Sequence, residues 1–339
     1  MKLIKTEEAV GHVLCHDMTQ IIPGVSKDAR FRKGHIVTEE DIPVLLSMGK
    51  ENLYVWEKTE GMLHEDEAAE RLASLCGVDN MTWTDVKEGK IELKAEIDGL
   101  LQVDSEKLIA VNSIDDLMIA TRHGNTIVHP GDKLAGTRCI PLVLDEKIMM
   151  QAEDAVGEGT ILKILPFKLK KAAVITTGSE VYHHRIEDQF TPVLIKKLEA
   201  VGMEVIRHEY VDDGIDNLVA AIEAARATEA ELILCTGGMS VDPDDNTPGA
   251  IKKSGARIVT YGAPVLPGAM FLLGYYDDGR PIMGLPGCVM YAKATIFDLA
   301  LARVVCGVEM TKKDFVVMGE GGLCLGCKEC HYPICPFGK

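Results

Sequence analysis

The hydrophobic and polar positions fall into two textures, with the change near residue 160. Beyond it, short continuous apolar runs alternate with segments whose apolar residues recur every three or four positions, the spacing of one helix face. AAVITTG (172–178), MEVIRHEYV, ELILCTGG and RIVTYG read as strands. TPVLIKKLEAVG (191–202), IDNLVAAIEAARATE and PGAIKKSG read as the helices between them. FLLGYYDDGRPIMG reads as a hairpin, and CVMYAKATIFDLALARVVCG as a closing helix. Apolar strands separated by amphipathic helices imply a sheet covered on both faces. The predicted fold class is α/β, a three-layer, mostly parallel sheet over residues 160–308.

Before residue 160 the segments are shorter and mixed. In FRKGHIVTEEDIPVLLSMGKENLYVWE, Thr38 and Asp41 form a capping-box pattern and Gly49 can end the helix, so 38–48 is predicted helical and feeds the strand NLYVW. This gives a small α+β unit over 1–60. HEDEAAERLASLCG reads as a charged amphipathic helix closed by Gly77. IELKAEIDGLLQVD and KLIAVN read as strands, and Ser113 and Asp116 as the start of a short helix, DDLMIATRHG. TIVHPGDKLAGTRCIPLVL returns to strands around turns at Pro130-Gly131 and Ala135-Gly136. Residues 61–159 are thus a second α+β unit, and 309–339 a cysteine-rich tail.

Charge narrows the partners. Against 36 Lys and Arg stand 52 Asp and Glu, a net charge of −16, so no long-range field gathers nucleic acid or an anionic membrane. A phosphate must be captured locally. MKLIKTEEAVGH becomes charged too early for a signal peptide, and no apolar run approaches the roughly 18 residues of a spanning helix. The expected compartment is cytoplasmic, where the ten cysteines are thiols. Cys15, Cys76, Cys139, Cys235, Cys288 and Cys306 are scattered and read as small hydrophobes.

In open α/β sheets, ligands sit beyond the carboxyl ends of the strands. Three small-residue exits belong there: Thr177-Gly178-Ser179-Glu180, Thr236-Gly237-Gly238-Met239-Ser240 and Gly284-Leu285-Pro286-Gly287. CTGGMSVDPDD combines glycines whose bare backbone suits a phosphate with Asp242, Asp244 and Asp245. Plainer readings stand beside the functional one. Gly237-Gly238 also suits a tight strand exit, Asp242 and Asp244 a solvated capping turn, His183-His184-Arg185 a solvated loop, and Met239 simple packing.

TTGSE, VDDG, TGGMSVDPDD, APVLPGAMFLLG and GLPGCV, in this order and spacing, resemble the molybdopterin-binding domain shared by MoeA, MogA and gephyrin. FRKGHIVTEEDIPVLLSMGKENLYVW is also similar to a segment common in MoeA proteins. The resemblance implies a molybdopterin site, for the pterin or its adenylylated form, involving Thr177, Gly178, Ser179, Gly237, Gly238, Ser240, Gly284, Pro286 and Gly287. It further implies Mg²⁺ and molybdate near Asp245, with Asp212 or Asp213 and Glu180, where Asp245 and Glu180 would be the catalytic acids. A cation bridging carboxylate to phosphate reconciles acid and anion in one turn. The chain departs from the family where GLPGNP reads GLPGCV, where KPGKP reads LPGAM, which puts Leu266, Ala269 and Met270 in the loop and removes two basic contacts, and where a DSN-like motif reads Asp188-Gln189-Phe190. Two function classes follow: Mg²⁺-dependent insertion of molybdate into molybdopterin, or a non-catalytic carrier or sensor of the cofactor. A CinA-like nucleotide-processing protein is a third. Relatives of this domain self-associate, so a homo-oligomer is expected.

The tail, GGLCLGCKECHYPICPFGK, places Cys324, Cys327, Cys330 and Cys335 as C-x2-C-x2-C-x4-C-P, one residue from the ferredoxin run C-x2-C-x2-C-x3-C-P. A [4Fe–4S] cluster is the first expectation. Zn²⁺ held by four thiolates, or by three and His331, is the second, and a redox-active or metal-free tail the third.

Overall fold

A computed structural model describes residues 2–22, 26–55, 60–240, 242 and 245–338, and the chain forms two compact units. The first comprises 1–96, 103–122 and 131–163, and the second 97–102, 123–130 and 164–339. Among the described residues, no helix is long and apolar enough to cross a membrane.

In the first unit, Lys2–Lys5 pairs antiparallel with Asn52–Val55, and Met18–Ile22 with Ser26–Phe31. Asp41–Ser47 is helical, and the Asp41 carboxylate accepts from Thr38 N and Oγ1, both at 2.8 Å. Gly49, at φ +76, ends that helix in the left-handed conformation glycine adopts without strain. Met81–Trp83, Lys90–Ala95, Lys133–Cys139 and Leu117–Thr121 form one antiparallel sheet in that order. The amphipathic helix Glu65–Cys76 buries Ala68, Ala69, Leu72, Ala73 and Cys76.

Three sequence expectations in this region give way. KLIAVN belongs to a helix, Ser105–Asn112, because the Asp104 side chain caps it by accepting from Lys107 N at 3.1 Å. DDLMIATRHG is not a helix but contains the strand Leu117–Thr121. Asn112 clamps that strand, its Oδ1 accepting from Ile119 N at 2.8 Å and its Nδ2 donating to Ile119 O at 2.9 Å. Ala135-Gly136 is not a turn either. It lies inside Lys133–Cys139, next to a register shift between Lys133 and Ala135.

The second unit holds a six-stranded sheet: β1 (Lys171–Thr177), β2 (Glu204–Val211), β3 (Leu232–Thr236), β4 (Arg257–Tyr261), β5 (Leu272–Tyr275) and β6 (Pro281–Leu285). Their order is β2-β1-β3-β6-β5-β4, parallel except for the β5 strand, which runs antiparallel to both neighbours. The α/β expectation is met as a mixed, mostly parallel sheet. Its helices are α1 (Ser179–Tyr182), α2 (Thr191–Glu199), α3 (Ile215–Arg226), α4 (Thr247–Lys253), α5 (Ile296–Val304) and α6 (Lys312–Val317). One cluster of buried residues joins Val174, Leu234 and Met283 to Leu194, Phe297 and Phe315. A second joins Ile175, Ile233 and Ile282 to Leu218, Ile222 and Ile251. The inner strands β1, β3, β5 and β6 are therefore buried on both faces, which explains their apolar runs, while the edge strands β2 and β4 keep exposed polar residues.

The closing helix is shorter than its apolar run suggested. Gly287–Met290 is a separate 3₁₀ turn, and α5 begins only after Thr295. Thr295 Oγ1 accepts from Phe297 N at 3.1 Å, and Asp298 Oδ2 accepts from Thr295 N at 2.7 Å, a capping box that fixes the start.

Candidate functional site at the carboxyl edge

The chain leaves β1 toward β2 on one side and later takes up β3 on the other, so connections diverge between β1 and β3. Such a switch point opens a crevice at the carboxyl edge. Thr176 pairs in register with Thr236, and Thr236 with Leu285, which sets the three predicted exits side by side.

Gly237 has φ +83, and a Cβ there would stand 2.4 Å from Thr177 O and 2.7 Å from Thr177 Oγ1. Gly238 has φ +54, and its Cβ would stand 2.8 Å from Thr247 Oγ1. Both conformation and space therefore require glycine. The turn is tied to the start of α4, where Thr247 Oγ1 donates to Gly237 O at 2.9 Å and Thr247 N to Gly238 O at 3.2 Å. Beneath it, Thr177 Oγ1 and Thr236 Oγ1 are buried without a hydrogen-bond partner among the described residues. An unpaired buried hydroxyl costs about 1–3 kcal/mol. Two at one switch point mark a place where polar partners are wanted.

The carboxylates are bound up with the loops. Asp213 Oδ2 accepts from Ser179 N at 2.7 Å, so the amide expected to meet phosphate already holds an acid from the exit of β2. Asp212 Oδ1 accepts from Asp213 N at 3.0 Å. Asp245 Oδ2 accepts from Asp242 N at 2.9 Å while Asp245 N donates to Asp242 O at 3.0 Å, closing a small turn. Tyr261 on β4 pins the preceding loop, its hydroxyl donating to Met239 O at 3.1 Å. Burial, and then the Asp245 carboxylate, push the Tyr261 hydroxyl above its ordinary pKa. Glu180 is exposed on α1, Ser240 and Gly287 are exposed, and Pro286 is buried. Asp244 lies outside the described residues. Gly284 serves packing, since a Cβ there would stand 2.5 Å from Met239 Sδ. Among the described residues, no three His, Cys, Asp or Glu side chains are arranged to hold a metal ion, so Asp212, Asp213 and Asp245 are not gathered as one ligand set.

Sequence reasoning named Asp188 only as a departure from the family motif and missed Thr176, Thr191 and His208, which form a polar cluster with it beside the first exit. Thr176 Oγ1 lies 3.0 Å from both Thr191 Oγ1 and His208 Nε2. Burial pulls His208 below its ordinary pKa, favouring neutral imidazole. Asp188 Oδ1 accepts from Phe190 N at 2.8 Å and Thr191 N at 3.1 Å. Burial alone would raise Asp188, but the hydrogen bonds from Thr191 and Phe190 outweigh it and hold the carboxyl below its ordinary range. Polar residues inside an otherwise apolar helix–strand contact were the only available signal. A cavity of about 460 Å³ opens next to this cluster, lined by His184, Arg185, Asp188 and Tyr210 among others.

A family model described as "Probable molybdopterin binding domain" fits the chain from β1 into α5. Residues 173–305 match it. The molybdopterin-binding match therefore includes the Thr177, Gly237 and Pro286 exits and stops before the tail. A second model, a domain of unknown function, matches residues 3–57. The chain is 27% identical over 230 residues to a molybdopterin molybdenumtransferase of Synechococcus elongatus, covering 64% of this chain and 55% of that protein. It is 35% identical over 86 residues to a CinA-like protein of Desulfosudis oleivorans, covering 25% of this chain and 21% of that protein. A solved molybdopterin biosynthesis MoeA protein from Pyrococcus horikosii aligns at 17% identity with a TM-score of 0.34, over 72% of this chain and 79% of its own. The chain thus spans at most about half the length of these two curated relatives.

Proposed function

We propose that the carboxyl edge between β1 and β3 binds molybdopterin or its adenylylated form, with the terminal phosphate received by the Thr177–Ser179 and Gly237–Ser240 turns. The observation that supports this most is the pair of unpartnered buried hydroxyls, Thr177 and Thr236, under a turn that admits only glycine. Phosphate oxygens accept from backbone N–H groups, which a bare backbone lets them approach, while the two hydroxyls lie closed beneath the turn and join only when it opens. The Ser179 amide joins them only if Asp213 releases it, so ligand binding is coupled to the exit of β2.

The reaction proposed for this site is insertion of molybdate into the pterin. Mg²⁺ asks for one or two carboxylates, completing its shell with water and ligand oxygens, and the exposed Glu180 and half-buried Asp245 fit that demand. When bound it would supply charge neutralisation between phosphate or molybdate oxygens and the acids. Asp213 and Asp245 meanwhile hold the two loops in shape through backbone N–H groups. A second reading, a carrier or sensor without chemistry, is favoured by Leu266, Ala269 and Met270, which bring no cation to their loop.

Titrating molybdopterin against the wild type and Gly238→Val tests the site, because the added side chain meets Thr247 Oγ1 and crowds the turn. The expected result is at least a tenfold loss of affinity. Unchanged affinity refutes the site, and tighter binding of a free nucleotide than of the pterin would favour the CinA-like reading. Asp245→Asn, which keeps an oxygen to accept from Asp242 N but removes the charge, separates the two roles: molybdate-dependent formation of active cofactor should disappear while pterin binding persists.

A further inference from the structure

The four tail cysteines are not among the residues proposed to receive the pterin, and the segment that carries them is fastened at both ends. Leu266 N donates to Gly322 O and Cys324 N to Leu266 O, both at 2.8 Å, around a parallel bridge between Leu266 and Leu323. At the far end Phe337 is buried, and Gly338 N returns to Gly321 O at 2.9 Å. Gly322 has no room for a side chain, since a Cβ would stand 2.4 Å from Met318 O. The chain between these clamps is a closed loop with little holding it from within. Among the described residues, the backbone hydrogen bond inside 325–336 is Ile334 N to His331 O at 2.7 Å, and Leu325 and Ile334 point their apolar surface outward.

All four cysteines line a single cavity of about 280 Å³, floored by Pro267 and Ala294. Cys327 and Cys330 are exposed, Cys324 and Cys335 half-buried, and all four are free thiols. We propose that Cys324, Cys327, Cys330 and Cys335 bind one [4Fe–4S] cluster in this cavity. The spacing lets a short looping backbone aim the sulfurs at one centre, with Pro336 restricting the chain after the fourth.

The spacing, one residue from the ferredoxin run, favours a cluster over a single ion. Zinc bonds to sulfur at about 2.3 Å, which requires tetrahedral thiolates about 3.8 Å apart, nearly in contact. Among the described residues no three His, Cys, Asp or Glu side chains are placed to hold a metal ion, so the four cysteines that line the cavity must close in to take up any metal. A cluster stands between its ligands and leaves their sulfurs farther apart than a single zinc does, so it asks for less closing of the loop. Uptake is ligand exchange without redox change. Each thiol gives its proton to a departing capping thiolate, and its sulfur takes that thiolate's place on iron. Cys324, Tyr332 and Cys335 already pack against the core, so what cluster binding would order is the exposed stretch 325–331.

The test uses the full chain under anaerobic conditions and a preformed [4Fe–4S] cluster capped by small thiolates. After desalting, the wild type should retain about four iron and four sulfide with broad absorption near roughly 400 nm. Cys327→Ser/Cys330→Ser, altered only at exposed positions, should lose that absorption while keeping the wild-type far-ultraviolet circular dichroism. Alkylation with iodoacetamide, counted by mass, provides a readout without mutation, since the loaded protein should show four fewer modified cysteines than the unloaded one. Three results would each overturn the cluster: no retained iron in the wild type, equal retention by the double variant, or one zinc per chain that blocks cluster uptake.

Discussion

At the residue scale, the most informative positions are those where one atom more cannot be accommodated. Gly237 and Gly279 share a left-handed conformation, at φ +83 and +82, but Gly237 faces Thr177 O at 2.4 Å while Gly279 faces open space. Gly279→Ala should therefore cost about 1 kcal/mol, from conformation alone. Gly237→Ala should cost about 3 kcal/mol by urea unfolding, with the clash added to the conformational cost. Similar losses for both would refute the close approach. Glu65 supplies a pH signature. Burial first, then the charges of Asp66 and Glu88, raise its carboxyl from 4.5 to about 7. A raised acid favours the fold while protonated, so its contribution is fully present below pH 4.5 and is lost as pH climbs through about 7. Thermal unfolding of Glu65→Gln should gain on the wild type between pH 5 and pH 8, and a constant difference would show that Glu65 does not titrate in this range. The left-handed turn at Gly237 and Gly238 was legible in the sequence because backbone conformation is local, whereas the approach of Thr177 and Thr247 was not. The bond from Ser179 N to Asp213 was not, because its partners are 34 residues apart.

At the element scale, caps decided the boundaries that hydrophobic pattern left open. The apolar run 288–307 reads as one helix, yet the Thr295–Asp298 capping box starts α5 at Ile296. Thr295→Ala should cost about 1 kcal/mol in chemical unfolding, with no change in the extent of the other helices. No loss would mean that packing, and not the cap, sets the start. KLIAVN and LMIAT carry similar apolar residues, but Asp104 makes the first helical and Asn112 holds the second extended. Propensity alone could not separate them, because short apolar runs suit either structure and single side-chain hydrogen bonds from flanking residues choose between them. The inner parallel strands β1, β3 and β6 were easier to read, since burial on both faces leaves few polar residues within them.

At the scale of the whole molecule, charge is the strongest constraint. A net −16 repels polyanions, so the protein should not retard duplex DNA in a gel at physiological salt, and retardation would reveal a basic surface hidden by the total. Against that field, any bound phosphate relies on short-range donors, which is why the hydroxyls of Thr177 and Thr236 and the bare turns matter to the proposed site. The sequence by itself determined the α/β class, the carboxyl-edge loops and the cysteine spacing, because period, glycine and motif spacing are properties of neighbouring residues. Only the tertiary structure decided that Asp213 occupies the Ser179 amide, that Gly284 makes room for Met239, and that the tail closes into a loop around one cavity. Each of these depends on segments far apart in the chain, which meet only when burial of the sheet brings them together.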